Sequence, residues 1–208
     1  IVSDILMNST FADDELARER TVVLQEIGQA NDTPDDIIFD TFQETAYPDQ
    51  PLGRAILGTT DIVSRMPRET LKGYIDAQYG SDRMILSAAG NLDHDALAGL
   101  AEKAFASVSP SQAEAPIPGV YTGGDNREIR DLEQAHLVMG FDGVGYDDDD
   151  YYPLAVLSTA LGGGMSSRLF QEVREKRGLV YSIYTFSSAY KDGGLFGLYA
   201  GTGADEVA

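Results

Sequence analysis

Glu15–Ile27 reads ELARERTVVLQEI, and its apolar period is that of a helix. At 100° per residue, Leu16, Val23 and Ile27 fall at about 0°, 340° and 20° and make one apolar seam. Glu19 falls at about 300° and Glu26 at about 280°, so the two stack beside the seam rather than opposite it. Glu15, at about 260°, extends that row. Carboxylates that only solvate a helix stand away from its buried stripe. Two readings of the row follow: a boundary neutralised by arginines such as Arg18, Arg20 or Arg65, or carboxylates aimed into a site.

The pattern on either side is mixed. SDILMNSTF ends a helix near Asn8–Thr10, and Asp13 and Asp14 place carboxylates where the next helix dipole favours them. NDTPDD is a turn, followed by the short amphipathic helix DIIFDTFQETAY, closed by Pro48. Asp61 is the expected cap of a short helix, and Pro67 opens another at its first turn. Asp82–Leu92, DRMILSAAGNL, reads as a strand, and Asp93–Val108 as a helix. Ser109–Asp125 is rich in Pro, Gly and Ser and reads as a linker. Beyond it come the strands REIRDL and QAHLVMGFDG, then a helix capped by the run Asp147–Asp150. A second helix, SSRLFQEVREKR, is followed by a hairpin turning at Lys191–Gly194. The expected class is α+β, in two consecutive α/β units with divisions at 1–108, 109–125 and 126–208.

Composition narrows the function classes. The chain has 208 residues, 43% of them hydrophobic, which suffices for a packed core. With 34 acidic and 15 basic residues its formal charge is −19. That disfavours nucleic acid and anionic membranes as partners and favours a basic peptide or a cation. Cysteine is absent, so disulfides and cysteine-based zinc sites are excluded. No apolar run reaches the ~18 residues of a membrane span, and the expected compartment is the bacterial cytoplasm, with the periplasm and mitochondrial matrix left open. The opening IVSDILMNSTF reads as the interior of a helix, so an internal piece of a longer protein is expected.

Several motifs dissolve on inspection. LGGGMSSRLF, Leu161–Phe170, has no Lys-Ser/Thr after its glycines and no strand before them, so it is not a phosphate loop. The glycines read as a helix terminator, with Ser166 or Ser167 capping the next helix. His94 and His136 belong to no two-histidine metal motif and to no serine triad. The aspartate run lacks calcium-loop spacing. Arg174 and Tyr181 lie seven positions apart, with Gly178 between them ending the helix. By themselves they read as a surface arginine and a core tyrosine.

Two stretches taken together do point further. STFADDELARERTVVLQEI (Ser9–Ile27) and LGGGMSSRLFQEVREKRGLVYSI (Leu161–Ile183) resemble the pitrilysin-type M16 zinc metallopeptidases, in particular the two-domain processing-peptidase subfamily and its small bacterial relatives. Met66–Leu97, MPRETLKGYIDAQYGSDRMILSAAGNLDHDAL, fits the same order of elements. The resemblance implies the C-terminal part of a first M16 domain over 1–108, and the N-terminal part of a second over 126–208. It implies a Zn2+ held by two histidines of a His-x-x-Glu-His helix and by one glutamate on a later helix. Glu26 matches that third ligand and Glu19 the supporting acidic residue. A bound water would take the fourth zinc position and lose its proton to the motif glutamate. Arg174 and Tyr181 match, in type and spacing, a pair that helps bind the peptide and stabilise its reacting carbonyl. The implied partners are a peptide substrate and a second M16 subunit, as a homodimer or heterodimer.

The sequence departs from the family at one decisive place. No His-x-x-Glu-His occurs in the 208 residues. In the family that motif precedes the third ligand. The expectation is therefore part of a zinc metalloendopeptidase, inactive alone. The second reading is a non-catalytic M16-like subunit that binds peptide or supports an active partner.

Overall fold

The structure, a computed structural model, describes residues 1–207. The expected α+β class holds: seven α-helices and one three-stranded antiparallel sheet are formed among the described residues. The chain packs as two compact units. One comprises Ile1–Gln25 and Thr59–Pro116, the other Glu26–Gly58 and the chain from Ile117 onward.

The first unit is helical. It contains α1 (Val2–Met7), the first part of α2 (Asp13–Asn31), α4 (Thr60–Arg65), α5 (Arg68–Gln78) and α6 (His94–Ala104). Arginines tie it together through backbone carbonyls. Arg20 donates from Nε to Val63 O at 3.1 Å and from Nη2 to Met66 O at 2.9 Å. Arg68 Nη2 reaches Thr10 O at 2.8 Å. Pro67 stands immediately before α5, as its fixed φ favours. Asp93 caps α6 by accepting from Ala96 N at 2.9 Å. The cap of α4 is Thr59, not Asp61: the Thr59 hydroxyl accepts from Ile62 N, while Asp61 lies two residues further along, inside the first turn, and pairs with Arg65 instead.

Asp82–Leu92 is not a strand. After a single 3-10 turn at Ser81–Arg83 the segment forms no ladder, and Ile85 is 96% exposed. A strand needs a neighbour to take its N–H and C=O groups, and no described segment pairs with this one in a ladder; residues 111–114 meet only its first side chains, with Ser111 N donating to Asp82 Oδ1 and Arg83 Nη2 to Ala113 O. REIRDL, at 127–132, fails for the same reason; Ile129 is exposed, and Arg130 pairs with Glu128 two residues away.

The second unit holds the buried apolar core. β1 (Ala135–Gly143), β2 (Ser182–Ala189) and β3 (Gly194–Thr202) assemble in the order β1-β3-β2. β2 and β3 make the expected hairpin, closed by Tyr190 N donating to Gly193 O at 2.8 Å. Alternation along the strands gives the sheet two faces. On one lies α3 (Pro34–Ala46): Phe39 and Phe42 meet Phe186 edge-on at 5.4 and 5.9 Å, and Phe39 stacks with Tyr199. Ala46, Tyr47 and Leu195 are its most buried members. On the other face lies α7 (Tyr151–Gly162), where Ser158 and Thr185 exchange buried hydrogen bonds. Gly162 allows that approach, because a Cβ there would stand 2.5 Å from Thr185 N. Asp150 precedes α7, but no aspartate side chain of the 147–150 run caps it.

The proline- and glycine-rich stretch is extended and pinned rather than loose. Ser111 Oγ donates to Ala77 O within the first unit. Within the second, Val120 and Gln50 exchange two 2.8 Å hydrogen bonds, and Tyr121 OH reaches Gly140 O.

Candidate functional site

α2 is continuous over 19 residues and carries both glutamates of interest. Its covered positions are Leu16, Arg20, Val23, Leu24, Ile27 and Ala30, and Ile27 is the most buried of them. Glu19 and Glu26 flank this stripe and are exposed, separated by about 10 Å along the axis at 1.5 Å per residue. The nearby arginines are occupied elsewhere. Arg18 takes Asp14 and Glu15, Arg65 takes Asp61, and Arg20 serves backbone carbonyls. Among the described residues neither Glu19 nor Glu26 has an ionic or hydrogen-bonding partner. The boundary-pairing reading thus fits Glu15, whereas Glu19 and Glu26 stand in solvent without an arginine.

The second group lies beyond α7. The chain turns at Gly163 and Gly164, and a helical segment starts after Ser167. That segment becomes π-helical over Phe170–Glu175, with Lys176 N donating to Gln171 O five residues back. Gly178, at φ +64°, ends it as expected, since a left-handed residue there costs glycine nothing. Tyr181 then enters β2, its N–H donating to Gly201 O at 2.8 Å. This fold-back brings the arginine and tyrosine together: Arg174 Nε donates to Tyr181 O at 2.9 Å. The Tyr181 side chain stands out from the surface, 65% exposed. Beneath the guanidinium lies Phe170, with Arg174 Cζ 4.7 Å from its ring centroid. Sequence reading passed over Phe170, although the four-residue step from an aromatic to an arginine on one helix face was visible. Nearby, a hydrogen bond from the Lys176 ammonium holds the Glu172 carboxyl below its usual range.

The remaining candidates stay apart from chemistry. His94 begins α6, and His136 Nδ1 lies 2.8 Å from Tyr199 OH. Clefts in the second unit, one lined by Tyr146, Tyr151 and Tyr190 and another by Tyr47, Asp142 and Asp192, include none of Glu19, Glu26, Arg174 or Tyr181. Among the described residues no group of three His, Asp or Glu is arranged to hold a metal ion. Zinc needs three protein ligands. A lone exposed carboxylate at Glu26 supplies one, so the residues present do not by themselves fit a zinc ion.

Comparison with known proteins gives a consistent result. Residues 65–208 match the family model described as the peptidase M16 inactive domain, and residues 1–60 match that of insulinase, peptidase family M16. An uncharacterized zinc protease of Rickettsia felis is 42% identical over 208 residues, all of this chain and 50% of that protein. One of Bacillus subtilis is 38% identical over 209 residues, again all of this chain and 51% of the relative. The chain therefore spans about half the length of the relatives it matches. The crystal structure of a peptidase M16 inactive domain from Pseudomonas fluorescens superposes with a TM-score of 0.87 over 97% of this chain and 50% of that one. At 23% identity that likeness concerns the fold alone.

Proposed function

We propose, from the premise that this chain belongs to the M16 peptidase family, that it is part of a zinc-dependent metalloendopeptidase that cleaves peptides within a chamber closed by two M16 subunits. Residues 1–108 are assigned to the first domain and 126–208 to the second. Glu26 is the single zinc ligand this chain offers, and Glu19 the acidic residue that supports it. Arg174 and Tyr181 face the substrate. A phenol and a guanidinium can both donate to a peptide carbonyl oxygen as it gains negative charge. The chain alone is inactive, the active form is a homodimer or heterodimer, and the compartment is the cytoplasm.

The observation that carries this reading is the state of Glu26. It is exposed beside the apolar seam of α2 and has no ionic or hydrogen-bonding partner among the described residues. The test is zinc content and peptide hydrolysis of the full-length protein, with and without Glu26→Gln. Loss of both metal and hydrolysis in the variant supports the assignment. Full zinc loading in the variant overturns it.

A second reading, a non-catalytic subunit that binds peptide, is favoured by one observation: the matched region 65–208 carries the inactive-domain description. In that case the full-length protein would bind peptide and hold no zinc.

A further inference from the structure

An arginine that recognises a carbonyl is helped by holding its guanidinium still, because a free side chain of this length loses rotamer freedom on ordering. Three contacts act on the guanidinium of Arg174. Its Nε donates to Tyr181 O at 2.9 Å. Its Nη1 reaches Glu175 Oε1 at 3.3 Å. Its Cζ sits 4.7 Å from the centroid of the Phe170 ring.

These contacts are unequal. The Glu175 pair joins sequence neighbours that are both partly exposed, and such pairs add little. The Tyr181 carbonyl fixes one edge of the plane but leaves it free to turn about the N–H···O axis. The ring face stops that turn, because a cation over an aromatic face is attracted by its quadrupole. Phe170 is only half-buried, so it is not simply a core residue that Arg174 happens to cover. With one face and the Nε edge engaged, Nη2 has no partner among the described residues.

We propose that Phe170 is a positioning residue: its ring holds the Arg174 guanidinium so that the Nη2 edge is presented to the bound peptide. This rests on the reading of Arg174 as a substrate-facing group. Phe170 acts through Arg174 and through no contact of its own with the reacting atoms.

The test uses the full-length protease. Phe170→Leu and Phe170→Met are independent ring-free replacements of similar bulk, so a folding failure in one leaves the other. Phe170→Tyr keeps the face. The ring-free variants should lower kcat/KM about 2- to 30-fold, the range expected for loss of a cation–π contact. Phe170→Tyr should restore it to within about twofold of the parent on the same scale. In an Arg174→Ala background the ring-free change should cost nothing further. A readout separate from activity is the Nε–H resonance of Arg174 in 15N-arginine-labelled protein, identified by its loss in Arg174→Lys. It should move in Phe170→Leu and return in Phe170→Tyr. Equal losses with and without Arg174, or no rescue by tyrosine, would indicate ordinary packing and overturn the proposal. Full activity in Arg174→Ala would remove the substrate-facing reading and the proposal with it. Loss in Arg174→Ala with none in the ring-free variants would overturn the positioning alone.

Discussion

The side chain of Arg174 is bonded to the backbone of Tyr181, Nε to O at 2.9 Å. The same tyrosine is held by its own N–H to Gly201 O on β3. The arginine is thus registered against the sheet, and the phenol beside it is left free to reach outward.

Under the proposed function the pair serves the zinc site of a second subunit. Take one full-length variant with Glu26→Gln and another with Tyr181→Phe. Tyr181→Phe should lose on the order of 10²–10³ in rate, the scale of a lost oxyanion donor, and Glu26→Gln should be nearly inactive through loss of the metal. Mixed dimers should regain about one competent site per heterodimer, read as kcat/KM against mixing ratio. If the pair serves its own chain, no site in the mixed dimer has both groups intact, and mixing restores nothing.

The isolated 208-residue chain should bind zinc weakly and cleave no peptide, because one carboxylate does not hold the ion against water. Calorimetry that finds tight, stoichiometric zinc would contradict this. In the full-length protein Glu26→Gln should remove most of the metal, whereas Glu19→Gln should cost about 10–100-fold, as a supporting residue does. Equal losses would mean the two roles are wrongly assigned.

The charge of −19 leads to a kinetic expectation. If acidity draws in basic peptides, kcat/KM for them should fall as salt rises, since exposed charges are screened beyond about 8 Å at 0.15 M. Peptides of both charge signs turned over equally and independently of salt would leave the acidity as a matter of solubility.

Tyr47 gives the fold an alkaline limit. It is 2% exposed, and its hydroxyl donates to Gly194 O at 3.2 Å. Burial first, then the charges of Tyr190, Asp142, Asp192 and Tyr121, pushes the phenol up to about 12. The folded value lies above the ordinary 10.0, so folding favours the protonated form. Its contribution is present in full below pH 10 and is lost as pH rises from there through about 12. Tyr47→Phe should cost about 1 kcal/mol at pH 8 and flatten the decline between pH 10 and 12. Tyr184 and Tyr199, also raised by burial, should retain part of it. Urea midpoints at pH 8 and pH 11 measure both effects. An unchanged slope in the variant would sink the assignment.

Much of the candidate site was legible in the sequence because its determinants are local. The 3.6-residue period placed Glu19 and Glu26 beside the seam of α2, and Gly178 marked the turn between Arg174 and Tyr181. The hairpin at Lys191–Gly194 could be read from its alternation and its glycines. That Glu19 and Glu26 stay unpaired among the described residues could not be read, because it depends on Arg20 finding backbone carbonyls 43 and 46 residues away along the chain and on Arg65 pairing with Asp61.

The sequence by itself determined the helices, the hairpin and the family likeness, since periodicity, turn chemistry and motif spacing all lie within short windows of chain. Only the tertiary structure decided that α3 covers the sheet through Phe39 and Phe42, that Asp82–Leu92 stays unpaired, and that Phe170 lies under Arg174. Those outcomes depend on which surfaces meet. An apolar run becomes a strand only where another backbone takes its hydrogen bonds, and an arginine finds its direction only from the groups packed around it.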